Sequence, residues 1–270
     1  MARLCCRPPT FPVCAVLYHE LLTLLAVAFA AGLVDAAVGG GGLIQIPGLF
    51  ATLPQPPAAT LFGTNKIASV TGTAAATWRY ARAVRIPWRL VLFAAVPAFA
   101  CAFVGAACVS LLPKDAARPL VLVLLVGMLV YTLAKKDFGA VDRAGDVGRR
   151  ELAIAGLIGG AIGFYDGFFG PGTGSFLIFL FIRFFGLDFM RASASAKVVN
   201  IATNLAALSF FVPTGHVLWA FALPMAAANV AGAVVGTRLA LRGGTAFIRT
   251  LFVLLVLVLI AKMGWDQFAG

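Results

Sequence analysis

The chain has 270 residues, 61% of them hydrophobic and 11% charged, a balance that excludes the charge-studded surface of a soluble domain of this size. Its formal net charge of +11 would suggest a nucleic-acid partner in a soluble protein, but here the basic residues gather between apolar runs, where they orient a membrane protein. Composition therefore predicts an all-α polytopic membrane protein with no nucleic-acid partner, its lipid contact being the bilayer itself.

The amino-terminal stretch MARLCCRPPTFPVCAVLYHE is mildly basic and enters the first apolar run without a small-residue cleavage site, so it reads as a retained segment. An α-helix crosses ~30 Å of hydrocarbon with about 20 apolar residues. Runs of that order occupy residues 18–38, 60–81, 88–111 and 118–134, then 151–169, 192–212, 217–240 and 246–264. LIQIPGLFATL (43–53) and FLIFLFIRFFG (176–186) are shorter; as helices they reach ~16 Å, about half a bilayer. Counting them or not gives 8–10 transmembrane helices. Cys5, Cys6, Cys14, Cys101 and Cys108 show no CxxC spacing and read as free thiols.

An internal repeat organises these runs. A shift of 131 residues lays AGLVDAAVGGGG (31–42) over IGFYDGFFGPGT (162–173), so that Gly32, Asp35, Gly39 and Gly41 fall on Gly163, Asp166, Gly170 and Gly172. The same shift lays GTNKIASVTGT (63–73) over ASAKVVNIATN (194–204), and Lys66 falls on Lys197. Aspartate and lysine are thus 31 residues apart in both copies. The predicted organisation is a first transmembrane repeat over 15–134, a polar linker over 135–150, and a second repeat over 151–264, with five apolar segments in each. If the short segments cross, the second repeat is inverted; if they dip and return, the two are parallel. The inverted arrangement collects Arg82, Arg85, Arg89, the linker, Arg183, Arg191, Arg238, Arg242 and Arg249 on one side, and it is preferred on that ground, with both termini outside.

Four charges sit inside apolar sequence: Asp35, Asp166, Lys66 and Lys197. Each would cost roughly 2.5 to 3.5 kcal/mol at the bilayer centre, so none can face lipid unpaired. Pairing of each Asp with a Lys to hold the bundle accounts for their presence. Their neighbours ask for more. Ser69 and Thr73 follow Lys66 at i+3 and i+7, and Asn200 and Asn204 follow Lys197 at the same offsets, so each lysine heads a polar stripe on one helical face. Thr64, Asn65, Ser193 and Ser195 extend it. Polar residues are ordinary packing glue in membranes, but a stripe repeated and headed by a cation suits a small hydrated anion.

The glycine clusters fit the same picture. Gly39, Gly40, Gly41 and Gly42, and in the second copy Gly170, Gly172, Thr173 and Gly174, interrupt helices at membrane depth, where freed backbone is tolerated only inside protein or against water. Matching breaks in two repeats point to a transporter site, and short helices starting there would turn their N-termini toward an anion. No GK[ST] follows GPGTG, which weighs against a nucleotide loop. The expected substrate-binding set is therefore these glycines and Thr173 with Asn65, Lys66, Ser69, Lys197, Asn200 and Asn204. Asp35 and Asp166, each between a desolvating surround and a lysine, are expected to carry a proton through the cycle.

The blocks GLVDAAVGGGGLIQIPGLF, TNKIASVTGTAAATWRY, GFYDGFFGPGTGSF and ASAKVVNIATNLAAL resemble the TSUP family, also called the sulfite exporter TauE/SafE family, and within it the bacterial inner-membrane members. The resemblance runs from about residue 20 onward and is most specific at GFYDGFFGPGTGSF. It implies a multi-pass transporter of the bacterial cell inner membrane with two homologous halves, exporting sulfite, a sulfonate or another organic anion. It also carries the family's motif positions onto Asp35, Gly39 to Gly42, Asn65, Lys66, Asp166, Gly170, Pro171, Gly174, Lys197 and Asn200. An enzyme is not expected: His19, His216, Glu20 and Glu151 form neither HExxH nor, with any serine, a GxSxG elbow, and no cofactor or metal ligand set is visible. An anion channel and a lipid-phosphate translocase remain alternatives, and a homodimer is compatible with the sequence.

Overall fold

The computed structural model describes residues 11–111, 123 and 148–242. The expected spans 118–134 and 246–264, most of the linker, Cys5 and Cys6 lie outside the described residues. Within them every element is an α-helix: α1 (Phe11–Val38), α2 (Gly42–Thr52), α3 (Ala58–Ala83), α4 (Trp88–Ser110), α5 (Arg149–Phe168), α6 (Thr173–Phe185), α7 (Phe189–Phe211) and α8 (Trp219–Leu241). Five of these, α1 from Tyr18 onward with α4, α5, α7 and α8, are long and apolar enough to cross a membrane. The expected span at 60–81 does form a helix of 26 residues, but α3 falls outside that group of five. Its polar stripe lowers the hydropathy that the length alone would satisfy.

Local chemistry sets the boundaries. Three prolines, Pro54, Pro56 and Pro57, follow α2 and lead into α3, and Pro87 directly precedes α4, positions where a missing N–H costs nothing. Asp188 caps α7, its Oδ1 accepting from the N–H groups of Met190 and Arg191 at 2.8 and 3.0 Å. At the two interior breaks, Gly39 and Gly170 both take positive φ (77° and 92°), which a side chain would resist. The cysteines Cys101 and Cys108 are free thiols on α4.

Small residues let the long helices approach closely. Gly159, Gly163 and Gly167 of α5 lie in turn against Ala94, Ala98 and Ala102 of α4, so that a Cβ at any of the three glycines would collide with the facing backbone carbonyl. Gly232 and Gly236 of α8 lie against Phe29 and Leu33 of α1 in the same way. Helices in lipid gain by such contact, because burial of apolar surface offers little between elements already surrounded by hydrocarbon.

The ascending numbers on both sides of each seam make α4 parallel to α5 and α1 parallel to α8. Gly63 of α3 lies against His216 just before α8 and Gly72 against Asn229, so α3 runs with α8 and α1. In contrast α3 and α7 are antiparallel: Gly63 lies against Phe211, Asn204 bonds Ser69, and the Arg191 Nε donates to the Arg85 carbonyl at 3.3 Å. Helices α1, α3 and α8 therefore end where α4, α5 and α7 begin. Arg82, Arg85, Arg89, Arg149, Arg191, Arg238 and Arg242 consequently share one end of the bundle.

Candidate functional site

The chain turns back at Gly39–Gly41 and again at Gly170–Gly172, and the two turns meet in the middle of the bundle. A Cβ on Gly39 would lie 2.6 Å from the Ser175 amide nitrogen, and one on Gly42 3.3 Å from the Pro171 Cα. Helix α2 folds back along α1, with Gly48 against Val27, while Phe176 of α6 packs its ring 5.7 Å from Tyr165 of α5. The Ser175 hydroxyl donates to the Val38 carbonyl at 3.1 Å, satisfying one acceptor left open where α1 stops. Tyr165 Oη donates to the Pro171 carbonyl at 2.6 Å and Tyr80 Oη to the Ala36 carbonyl at 2.9 Å, which fixes the two turns from the side.

The four charges within the apolar helices, of which Lys66, Asp166 and Lys197 are buried and Asp35 partly so, form two ion pairs, and each pair crosses from one half of the chain to the other. Lys66 Nζ on α3 donates to both the carboxylate Oδ2 and the backbone carbonyl of Asp166 on α5, at 2.8 Å each. Lys197 Nζ on α7 donates to the backbone carbonyl of Asp35 on α1 at 2.6 Å and lies 3.8 Å from its Oδ2. Each ammonium thus sits at the carbonyl end of an interrupted helix, where the macrodipole is negative. The expectation that lysine and aspartate pair is met, with the partner coming from the other half of the chain.

Each carboxylate also takes donors beside the break. Asp35 Oδ1 accepts the N–H groups of Gly40 and Gly41 at 3.1 Å each, and Thr73 Oγ1 donates to its Oδ2 at 3.4 Å. Thr173 Oγ1 lies 2.8 Å from both Asp166 Oδ1 and the Gly170 carbonyl, so its single proton is shared between them. In both halves, then, the protein's own carboxylate accepts from donors at the break.

The polar stripes of α3 and α7 face each other. Asn204 Nδ2 donates to Ser69 Oγ at 3.4 Å and to Asn200 Oδ1, which joins Ser69, Asn200 and Asn204 next to the two lysines. Gly172 takes the left-handed conformation that starts α6, and Gly174 lies against Gly39 and Gly40. Asn65 is buried beside Lys66, and its backbone carbonyl accepts from Gln45 Nε2 of α2 at 3.4 Å.

Two polar residues near the site carry no weight in the 131-residue correspondence and escaped sequence reasoning. Gln45 of α2 and Asn229 of α8 are buried and bond to each other, Asn229 Nδ2 donating to Gln45 Oε1 at 2.8 Å. The signal was a lone amide inside LIQIPGLF and inside AAANVAGA. Their repeat counterparts, 131 residues away, are Phe176 and Ala98, so this amide pair belongs to one half alone. The hydroxyls of Ser193 and Ser195 on α7 are buried without a hydrogen-bond partner. For Ser195 the cause is visible in the repeat: its counterpart Thr64 accepts from the Leu218 N–H at 3.0 Å, and the counterpart of Leu218 is Pro87, which has no N–H to give. The counterpart of Ser193 is Phe62, whose ring stacks edge-on between Phe50 and Phe169 at 5.8 and 6.0 Å. Among the described residues no group of His, Cys, Asp and Glu could hold a metal ion.

Long apolar helices seamed by small residues, helix breaks meeting inside the bundle, and intramembrane charges paired across the two halves of the chain mark a multi-pass membrane protein of the transporter class. The chain belongs to the sulfite exporter TauE/SafE family, whose description matches residues 24–263. It is 35% identical over 246 residues to the probable membrane transporter protein ORF9 of a Sinorhizobium species, covering 91% of this chain and 93% of that one. A probable membrane transporter protein of Haemophilus influenzae is 33% identical over 247 residues, covering 92% and 95%. The probable membrane transporter protein YfcA of Escherichia coli K12 is 34% identical over 246 residues, covering 90% and 89%. No solved structure matches the chain.

Proposed function

We propose that the protein is a secondary transporter of a small anion, with proton coupling at Asp35 and Asp166, working in the bacterial cell inner membrane by export of sulfite, a sulfonate or another organic acid. The observation that carries this reading is the pair of crossed contacts: Lys66 to Asp166 and Lys197 to Asp35, each made at a helix break. A proton on either carboxyl removes the charge that holds the opposite lysine. The freed ammonium, the Gly40 and Gly41 N–H groups and the Thr173 hydroxyl then become donors for an anion, and Ser69, Asn200 and Asn204 line its path. Without the proton, the carboxylates keep those donors to themselves.

Two inverted repeats, 15–134 and 151–264, form the framework of this proposal. What supports inversion is direction: α1 and α3 of the first half run opposite to their counterparts α5 and α7, which gathers the arginines at one end, the cytoplasmic one by the positive-inside rule. The shared centre between such repeats is where alternating access needs its site.

The test is reconstitution into liposomes with uptake of sulfite, sulfoacetate, acetate and phosphate measured with and without a pH gradient. Saturable flux of at least one of the four, accelerated by the gradient, is the expected result, and Asp35→Asn should flatten its pH dependence. Absence of saturable flux for all four, or an unchanged pH profile in Asp35→Asn, would overturn the reading.

A further inference from the structure

Away from the central site, a cavity of about 810 Å³ opens between α4 and α5 at the arginine-rich end. Arg89 and Arg149, each the second or first residue of its helix, stand at its mouth, and Leu92, Phe93, Val96, Pro97 and Gly156 line the rest. Gly156 leaves the floor open, since a Cβ there would only just touch the Phe93 carbonyl at 3.7 Å and the Pro97 ring at 4.0 Å. Leu92, Phe93 and Val96 are exposed, and Trp88 beside Arg89 is half exposed, the placement of an interfacial aromatic. Neither arginine has a carboxylate within ion-pair distance among the described residues; the nearby Glu151 is turned to the Gly148 N–H at 3.0 Å.

We propose that this groove holds an anionic phospholipid, with the phosphate between Arg89 and Arg149 and an acyl chain along Phe93, Val96, Pro97 and Gly156. Charge complementarity names the headgroup: two guanidinium groups with no carboxylate partner among the described residues are forks for phosphate oxygens, and basic pockets between helices on the cytoplasmic side favour anionic lipid. The apolar length of the groove names the rest, because a free phosphate would gain nothing from the uncharged side chains leading away from the arginines. The repeat supplies an internal control. The counterparts of Arg89 and Arg149 at the α8–α1 seam are Ala220 and Tyr18, so the two equivalent positions at the opposite end carry no cation. The site therefore belongs to one leaflet, and it is independent of which anion the central site carries.

The test uses the full chain in detergent, with lipid retention read by native mass spectrometry for phosphatidylglycerol, phosphatidylethanolamine and glycerol 3-phosphate. Phosphatidylglycerol is expected to be retained about 30-fold better than phosphatidylethanolamine, the factor that two basic contacts supply at a membrane surface. The double variant Arg89→Gln/Arg149→Gln should remove that preference, Val96→Trp should lower retention by filling the groove, and Arg238→Gln/Arg242→Gln, at the same end but outside it, should change neither. Thermal unfolding of each variant without lipid separates loss of the site from loss of the fold. Equal retention of the two lipids overturns the proposal, as does a preference that survives the double variant. So does competition by glycerol 3-phosphate as strong as that by the whole lipid, or a photo-cross-link from position 96 to the chain's own residues 112–147 in place of lipid.

Discussion

Lys66 and Asp166 meet at 2.8 Å with both side chains 3% exposed, whereas Lys197 stands 3.8 Å from the carboxylate of Asp35, whose side chain is 17% exposed. The residue types and spacings are the same in the two half-sites; the surroundings are not. Asp166 takes its donors from side chains, Lys66 and Thr173, and Phe62 one turn before Lys66 is locked among aromatic rings. Asp35 takes two of its donors from the glycine backbone, and the residue one turn before Lys197 is Ser193, with a hydroxyl that bonds to nothing. One half-site is sealed and the other is partly open, so solvent should reach Asp35 before Asp166.

The comparison can be broken most severely at the sealed pair. Asp166→Ala leaves the Lys66 ammonium buried without a counter-charge and should cost about 3 to 5 kcal/mol, read as a fall in unfolding temperature or in folded yield. Replacing both partners, Lys66→Met with Asp166→Leu, should restore most of that stability while leaving no transport. Next in size is the helix seam. Gly163→Leu would force α5 away from Ala98 of α4 and should cost about 1 to 3 kcal/mol or more, measured in the same thermal assay. The loosely held pair is expected to be more forgiving: Asp35→Asn keeps an acceptor for the Gly40 and Gly41 N–H groups and should cost about 1 kcal/mol, its main effect being on the pH profile of flux. If Asp35→Asn proves as destabilising as Asp166→Asn, the two half-sites are equivalent and the contrast is wrong. Smallest of all, Asn229→Ala breaks an amide pair that one half alone possesses. About 1 to 2 kcal/mol is expected there, and Phe176→Ala at the position equivalent to Gln45 should respond by lost packing instead.

Much of this site was legible because it is written twice. An aspartate, positive-φ glycines and a lysine at a constant spacing stand out against apolar sequence, and all four charges do meet at the breaks. The partner choice was not legible. Lys66 and Asp35 lie in one half of the chain, and only the folded packing shows that each lysine serves the carboxylate of the other half. Gln45 and Asn229 escaped for a different reason: one amide in a run of leucine and isoleucine has no periodicity, and its meaning lies in a second amide 184 residues away. The α4–α5 seam could have been read from the spacing of four that Ala94, Ala98 and Ala102 share with Gly159, Gly163 and Gly167, a regularity hidden by the overall abundance of both residue types. Arg89 and Arg149 were counted only as loop charge, since nothing local says that two residues 60 positions apart stand at one cavity.

The turn at Gly39 presses on the turn at Gly174 and Ser175, and each turn is tied to a lysine on a helix of the opposite half. Such an arrangement resembles a pair of meshed gears. A rigid shift of one hairpin would push the other's backbone and pull on a lysine of the opposite half in the same movement. A bulky residue at the contact would be felt on both faces of the membrane at once.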